Sequence, residues 1–476
     1  MKPQRVAVIG GGIGGLTAAG VLARTGFDVT LFEATDTLGG KAGTVTVNGL
    51  VFDTGPTVMT MPDTVRATFA ELGAEDLMPR LERLALQTHY RYADGREFSC
   101  WEDLDRAAES AAALNEADGK GLRAFFADAE NVYRAAGQPY LEAPYETMMG
   151  FMTRAARNGL GTLFTGLKLS TLDALGKRHF RGPHLRQFVN RFATYAGASP
   201  YEANAAFAMI AHIERAFGVH HVIGGLQGLV RGLEAAARRN GVSIELGAKV
   251  RHEKRGAGFV VGEREFDAVV VNADPLELQH RSGDPLTMSG YVAMFEAPKR
   301  LSLPHHTILF AADYEKEFAE LSAGRLAEEL TVHVCHPAAT DATMAPEGKS
   351  GLYVMVNVPP FTLGEEAAWQ GHARTLEAQL RARLSAMVPE LRDVPLSLVA
   401  ERTPVDLANK GAPRGSIYGY LPHGKFGPFR RPAMRGTDPG VFFAGGGTHP
   451  GGGVPLVMLS GRFAAGLTTA HLGGRS

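Results

Sequence analysis

Two glycine-rich runs and one carboxylate have the residue types and spacing for chemistry. The first run, Gly10-Gly11-Gly12-Ile13-Gly14-Gly15, joins a short apolar stretch, Arg5 to Ile9, to a helical pattern, Leu16 to Thr25. A second apolar stretch, Val29 to Phe32, ends at Glu33. Strand, GxGxxG, helix, strand and acid in this order predict a dinucleotide-binding βαβ unit. Gly10 permits the tight turn, Gly12 lets backbone approach a pyrophosphate, and Gly15 lets the helix press on the sheet. The helix N-terminus offers N–H groups and a partial positive charge to phosphates. Glu33, about twenty residues past the second glycine, is placed to accept from both hydroxyls of a ribose.

The second run lies at the far end: Gly445-Gly446-Gly447-Thr448-His449-Pro450-Gly451-Gly452-Gly453-Val454-Pro455, between a strand-like Gly440 to Ala444 and a helical Leu456 to His471. Six glycines in nine residues leave bare N–H groups facing a ligand, and the helix that follows aims its positive end the same way. One such loop suffices for NAD. A second needs its own electron-rich partner, and the N1–C2=O2 edge of a reduced isoalloxazine is one, so the pair of loops points to FAD. A helix N-terminus at that edge contributes up to about 2 kcal/mol, which raises a two-electron potential by roughly 40 mV.

Composition narrows the classes. The chain has 476 residues, 45% hydrophobic and 21% charged, enough for two or three domains with a large core. A net charge of −1 argues against a nucleic-acid partner. Two distant cysteines, Cys100 and Cys335, exclude a disulfide framework and fit a reduced cytoplasmic setting. The sixteen histidines show no metal-ligand spacing, so no metal is expected; His333 and His336 read as sheet residues. No signal peptide is expected before the first strand, and no apolar run is long enough to span a bilayer.

The elements that must position these residues follow in order. Leu38-Gly39-Gly40-Lys41 allows another close backbone approach; Lys41 faces either the ligand or solvent. Val45 to Asp53 predicts a hairpin turning at Asn48-Gly49, and Tyr90 to Phe98 another at Asp94-Gly95. Leu122, Phe125, Phe126, Ala129, Val132 and Tyr133 share one helical face. Tyr145 to Phe180 mixes Met148, Met149, Phe151, Met152, Leu160, Leu163, Phe164 and Leu167 with Arg154, Arg157, Lys168, Lys177 and Arg178. That composition suits a membrane interface or, better given its glycines, an internally packed helical cap. A helical stripe from Leu226 to Ala236, a strand from Ser243 to Val250 and another from Asp267 to Val271 return the chain to α/β. Tyr291 to Phe295, Thr331 to His336 and Leu352 to Val358 read as strands, and Glu365 to Met387 as a helix.

The chain resembles the FAD-dependent carotenoid (phytoene-type) desaturases, within the wider amine-oxidase-like superfamily. The resemblance rests on Val8 to Leu16, Glu33 with Gly39-Gly40-Lys41, Phe52-Asp53-Thr54-Gly55-Pro56-Thr57, Tyr195 to Tyr201, Ala211-His212-Ile213-Glu214 and Gly445 to Pro455. Many superfamily relatives carry an aspartate at the position of Gly446, which departs from an amine oxidase. Phe192-Ala193-Thr194-Tyr195 brings it nearest the 1-hydroxycarotenoid 3,4-desaturases (methoxyneurosporene dehydrogenases), with phytoene desaturase as the alternative and a flavin amine oxidase more distant.

The resemblance implies an α/β fold: a Rossmann-like, two-dinucleotide-binding-type FAD domain on a parallel sheet, an α+β substrate domain and a helical insertion. The expected divisions are 1–80, 218–276 and 425–476 for FAD, 81–101 and 277–424 for substrate, and 102–217 for the cap. It implies FAD contacts from Gly10, Gly12, Ile13, Gly14, Gly15, Glu33, Ala34, Gly40, Lys41, Gly55, Pro56, Thr57, Val250, Gly445, Gly446, Val454 and Pro455. The expected reaction removes two hydrogens from adjacent carbons of an apolar polyene, with hydride going to flavin N5. No residue is assigned as catalytic; His449 reads as a turn residue rather than a proton acceptor. A carotenoid substrate implies a lipid surface as partner and peripheral association with the inner membrane from the cytoplasmic side. A quinone or oxygen would take the electrons.

Overall fold

The computed structural model describes residues 3–157, 170–278, 285–424 and 427–473. Two sheets organise it. The first is parallel throughout and five-stranded, in the order Val441–Phe443, Ala268–Val271, Arg5–Ile9, Asp28–Phe32 and Ser243–Glu245. Its strands are short, and several are buried on both faces, as parallel strands must be.

One face is covered by helices Ile13–Arg24, Pro62–Leu72, Leu226–Arg239 and Val454–Gly473, which pack Leu16, Leu22, Phe69, Leu229, Leu233 and Met458 against Val6, Val8 and Val270. The other face is covered by a small antiparallel sheet, His252–Arg255, Gly258–Val261 and Arg264–Phe266, through Phe259, Val261 and Phe266. The expected strand from Ser243 to Val250 pairs only as far as Glu245. Beyond it, the N–H groups of Gly247 and Ala248 donate to the carbonyls of Thr35 and Glu33, so the chain continues beside the strand end without joining the ladder.

The second sheet has seven strands, in the order Ser397–Arg402, Ser289–Ala297, Ser350–Val358, Val332–Cys335, His306–Leu309, Leu86–Arg91 and Glu97–Trp101. All its pairs are antiparallel except Leu86–Arg91 with His306–Leu309. Both predicted hairpins form; Asn48 and Gly49 take φ of 54° and 78°, the left-handed pair a two-residue turn requires.

A helical layer packs on this sheet. Helix Glu116–Val132 buries Leu122, Phe125, Phe126 and Ala129 against Phe180, Phe188 and Tyr90. Helix Met148–Arg157 buries Phe151, whose ring meets Phe429 at 4.9 Å, while Met149 is 76% exposed. Leu160, Leu163, Phe164, Leu167 and Lys168 lie outside the described residues. Among the described residues no helix is long and apolar enough to cross a membrane.

Candidate active site

The two glycine runs, distant in sequence, meet at one side chain. Asn272 follows the strand Ala268–Val271 and its Nδ2 donates to Gly10 O at 3.3 Å. A Cβ at Gly12, Gly14 or Gly445 would meet the same Asn272 amide, at 2.8, 2.6 and 2.9 Å. Gly10 has φ of 102°, and a Cβ on Gly15 would collide with the Gly10 carbonyl oxygen. These glycines make room for backbone, as the turn-and-helix argument requires. The helix begins at Ile13, earlier than the pattern suggested, so Ile13, Gly14 and Gly15 form its first turn and the N–H of Leu16 is the one that returns to Gly12 O, at 2.9 Å. The closing helix packs directly on it: a Cβ at Gly461 would strike Gly14 O and Thr17.

Glu33 is buried at the end of its strand. Its Oε2 accepts the N–H of Gly11 at 2.7 Å, and Oε1 accepts from Thr35 N and Oγ1 at 2.9 and 2.8 Å. The carboxylate is held in one orientation, and Oε2 keeps a lone pair for a ribose hydroxyl. Ala34 is exposed next to it, and Val250 is half-buried against the cluster of Phe32, Phe259 and Phe266. Gly39 N donates to Gly11 O at 2.9 Å, which lays Gly39-Gly40 across the first turn.

Lys41 is not a free loop charge. Its Nζ donates to Ile417 O at 3.2 Å, and burial lowers its pKa against the pull of Asp274. A Cβ on Gly55 would hit the backbone of Lys41 and Ala42, so Gly55-Pro56-Thr57 lies against that turn. Asp274 is itself buried, with its pKa raised by desolvation and pulled back by Lys41, the Leu276 N–H and Arg431. Arg431 donates to Gly446 O at 3.2 Å and Tyr418 O at 3.4 Å, and it lies within 3.4 Å of a Cβ built on Gly451. Sequence reasoning missed Asn272, Asp274, Tyr418 and Arg431. The Asn272-Ala273-Asp274-Pro275 turn after a strand was the one signal available for the first two.

The closing run borders a cavity of ≈ 300 Å³. Gly451 to Leu456 and Gly55 to Val58 wall one part of it. Tyr140, Leu141, Phe207, Met209, Ile210 and Ile213, from the helical insertion, wall another. Arg191, Tyr195, His306, His333, Tyr353 and Asn357 supply its polar atoms. Arg191 is buried and pairs with buried Glu214 at 3.0 Å, and the Tyr195 hydroxyl donates to the same carboxylate. His449 does not face this cavity. Its ring is buried against Tyr140, at 4.4 Å, and Phe463, at 5.8 Å, and burial holds its pKa down at about 3. It is a neutral packing residue whose ring lies against the backbone of Ala143 and Tyr140.

Four histidines with no regular spacing in sequence come together in the fold. The antiparallel register sets His306 opposite Cys335 and Ile308 opposite His333. Buried His221, His305 and His306 and half-buried His333 stand in one row, with ring centroids 4.9, 4.6 and 5.4 Å apart along it. No linear spacing announces this, because strand pairing creates it.

Two phosphate-ready helix starts on one parallel sheet, one held carboxylate at the ribose position and an adjoining apolar cavity define an FAD-dependent oxidoreductase. The donor set fits that cofactor: unblocked backbone at both glycine runs, an oriented acid, and the cations Lys41 and Arg431. The chain belongs to the Flavin containing amine oxidoreductase family, which it matches over residues 13–467. It is 32% identical to hydroxyneurosporene desaturase of Cereibacter sphaeroides, over 99% of both chains. It is 28% identical to 4,4'-diapophytoene desaturase (4,4'-diaponeurosporene-forming) of Staphylococcus aureus strain Newman, over 96% of this chain and 97% of that one. Among solved structures, putrescine oxidase bound to putrescine aligns with a TM-score of 0.67 at 17% identity, over 98% of this chain and 99% of that one. An oxidoreductase from Methanosarcina mazei aligns with 0.64 at 17%, over 96% and 99%. These structural likenesses speak for the fold alone.

Proposed function

We propose that this protein is a carotenoid desaturase that introduces the 3,4 double bond into a 1-hydroxy- or methoxy-carotenoid. The observation that carries the reading is the cavity: it joins the closing glycine loop, at the flavin site, to an apolar wall built from the helical insertion. FAD, when bound, supplies the two-electron acceptor at N5. Gly10, Gly12, Ile13, Gly14, Gly15 and Gly40 would hold its pyrophosphate, Glu33 its ribose, Ala34 and Val250 the adenosine rim, and Lys41, Gly55, Pro56, Thr57, Gly445, Gly446, Val454 and Pro455 the remainder. The chain's own work is to align and to dry the site. Phe207, Ile210 and Ile213 exclude water along the cavity, and Arg191 and Asn357 offer donors for a substrate oxygen. The full-length similarity to hydroxyneurosporene desaturase supports this substrate class over an amine. Neither Trp101 nor Trp369 lines the cavity, so no tryptophan contributes to a cage for a cationic substrate.

The protein acts at the cytoplasmic face of the inner membrane in this reading, since its substrate resides in the bilayer, and a quinone or oxygen reoxidises the flavin. Exposed Met148 and Met149 at the start of their helix, with exposed Arg157 at its end, supply a surface for lipid. Buried Phe151 does not belong to that surface.

The test is pigment analysis after expression in cells supplying phytoene, neurosporene or 1-hydroxyneurosporene. A red-shifted product from the hydroxylated pigment alone supports the reading. A shift from phytoene instead moves the assignment to phytoene desaturation, and no shift from any of them defeats it.

A further inference from the structure

The row of histidines holds a feature the flavin chemistry leaves unused. Strands His306–Leu309 and Val332–Cys335 pair antiparallel with His306 directly across from Cys335, so their side chains leave the sheet on one face. His305 stands beside them at the strand start. One ligand atom from each of His305, His306 and Cys335 lies within 4.8 Å of the others. All three residues are buried, at 5%, 1% and 3% exposure.

We infer that His305, His306 and Cys335 form a binding site for a borderline-soft divalent cation of the zinc class. Two further observations point to a ligand. The Nε2 atoms of His305 and His306 are buried without any hydrogen-bond partner, and a buried orphan of this kind is costly to leave unmatched. The opposite ring nitrogens are each held: His305 Nδ1 lies 2.8 Å from Thr340 Oγ1, and His306 Nδ1 lies 3.3 Å from His333 Nε2. That is the outer-shell pattern of metal-ligating imidazoles, in which one nitrogen fixes the ring and the other presents its lone pair.

The donor types choose the cation. Two imidazoles and a thiolate suit zinc-class ions, while calcium and magnesium demand oxygen. Bonds of about 2.0–2.3 Å around a tetrahedral ion need ligand atoms some 3.3–3.8 Å apart, so the cluster closes by about 1 Å. Charge is also provided for. Asp341 lies 3.2 Å from His221, whose ring is tilted against that of His305 at 4.9 Å. Entry is through the cavity, because His306 and Thr57 both line it and the Thr57 hydroxyl bonds the Cys335 thiol. A bound ion ties the two strands to the Thr57 turn that walls the flavin side of the cavity.

The test uses the FAD-loaded enzyme, stripped with a chelator, then titrated with Zn2+ and, as a coloured surrogate, Co2+. The expected result is one ion per chain, with a thiolate-to-cobalt charge-transfer band. Cys335→Ser and His306→Gln each weaken zinc binding by about 100-fold or more, while Cys100→Ser leaves it unchanged. Flavin content and the metal-free melting temperature report whether the variants fold; Cys335→Ala replaces the serine variant if that one does not. Zinc lost on desalting from a stoichiometric micromolar mixture overturns the proposal, as does a Cys335 variant with wild-type affinity.

Discussion

The parallel sheet and the seven-stranded sheet solve the same problem in opposite ways. Around the parallel sheet, function sits in contiguous runs: Gly10 to Gly15 and Gly445 to Pro455 each place several backbone N–H groups with a single turn. Around the larger sheet, function is assembled from single residues on different elements. Arg191, Glu214, His306, His333 and Asn357 come from five segments and meet only because the sheet and its helical layer bring them together. A backbone cradle needs small residues in sequence. A shaped apolar cavity needs side chains, and these can come from anywhere. The first region is therefore intolerant of added atoms, and the second of unpaired charge.

The largest effect should come from filling the backbone cradle. Gly15→Val puts side-chain atoms where the Gly10 carbonyl stands, and the purified protein should carry no flavin, read as a lost visible absorbance. Retained yellow colour would break the contrast between the two regions. Next is charge in the cavity half. Glu214→Gln leaves buried Arg191 uncompensated and should cost about 3–5 kcal/mol in a denaturant melt, with much of it recovered in Arg191→Met/Glu214→Leu. A double variant no more stable than the single one would show that the pair is not coupled.

A smaller effect sharpens the role of the held acid. Glu33→Ala removes the acceptor for Gly11 N and Thr35 N and should weaken FAD binding by about 1–3 kcal/mol, roughly 5- to 150-fold, measured by equilibrium dialysis. The most gradual is a pH slope. His449 is held neutral in the fold down to about pH 3, whereas an unfolded histidine protonates near 6.5. The unfolded state then binds the extra proton, so stability is full above about pH 6.5 and falls by up to about 1.4 kcal/mol per unit as the pH drops from there toward the folded value. His449→Phe should flatten part of that acid limb, checked by urea midpoints between pH 4 and 7.

This contrast also decides what could be read without coordinates. The first βαβ unit, both hairpins, the Leu226–Arg239 helix and the closing glycine loop have local signatures: glycine at left-handed turns, apolar residues at helical spacing. Asn272 and Asp274 were visible as a turn but not as the hinge between two glycine runs, because their role depends on where Gly445 returns. The small sheet His252–Phe266 was missed because its alternation is short and its strands are largely exposed. Lys41 reads either way in sequence; in the fold it is buried against the Ile417 carbonyl and Asp274, and both partners lie more than two hundred residues away. The histidine row depends wholly on strand register.

The central claim is that one flavin site, built by both ends of the chain, serves a polyene cavity. Anaerobic mixing of the FAD-loaded enzyme with a 1-hydroxycarotenoid in liposomes tests it most directly. The flavin absorbance should bleach as the pigment shifts to the red. Bleaching by a primary amine, with none from any carotenoid, would contradict the account.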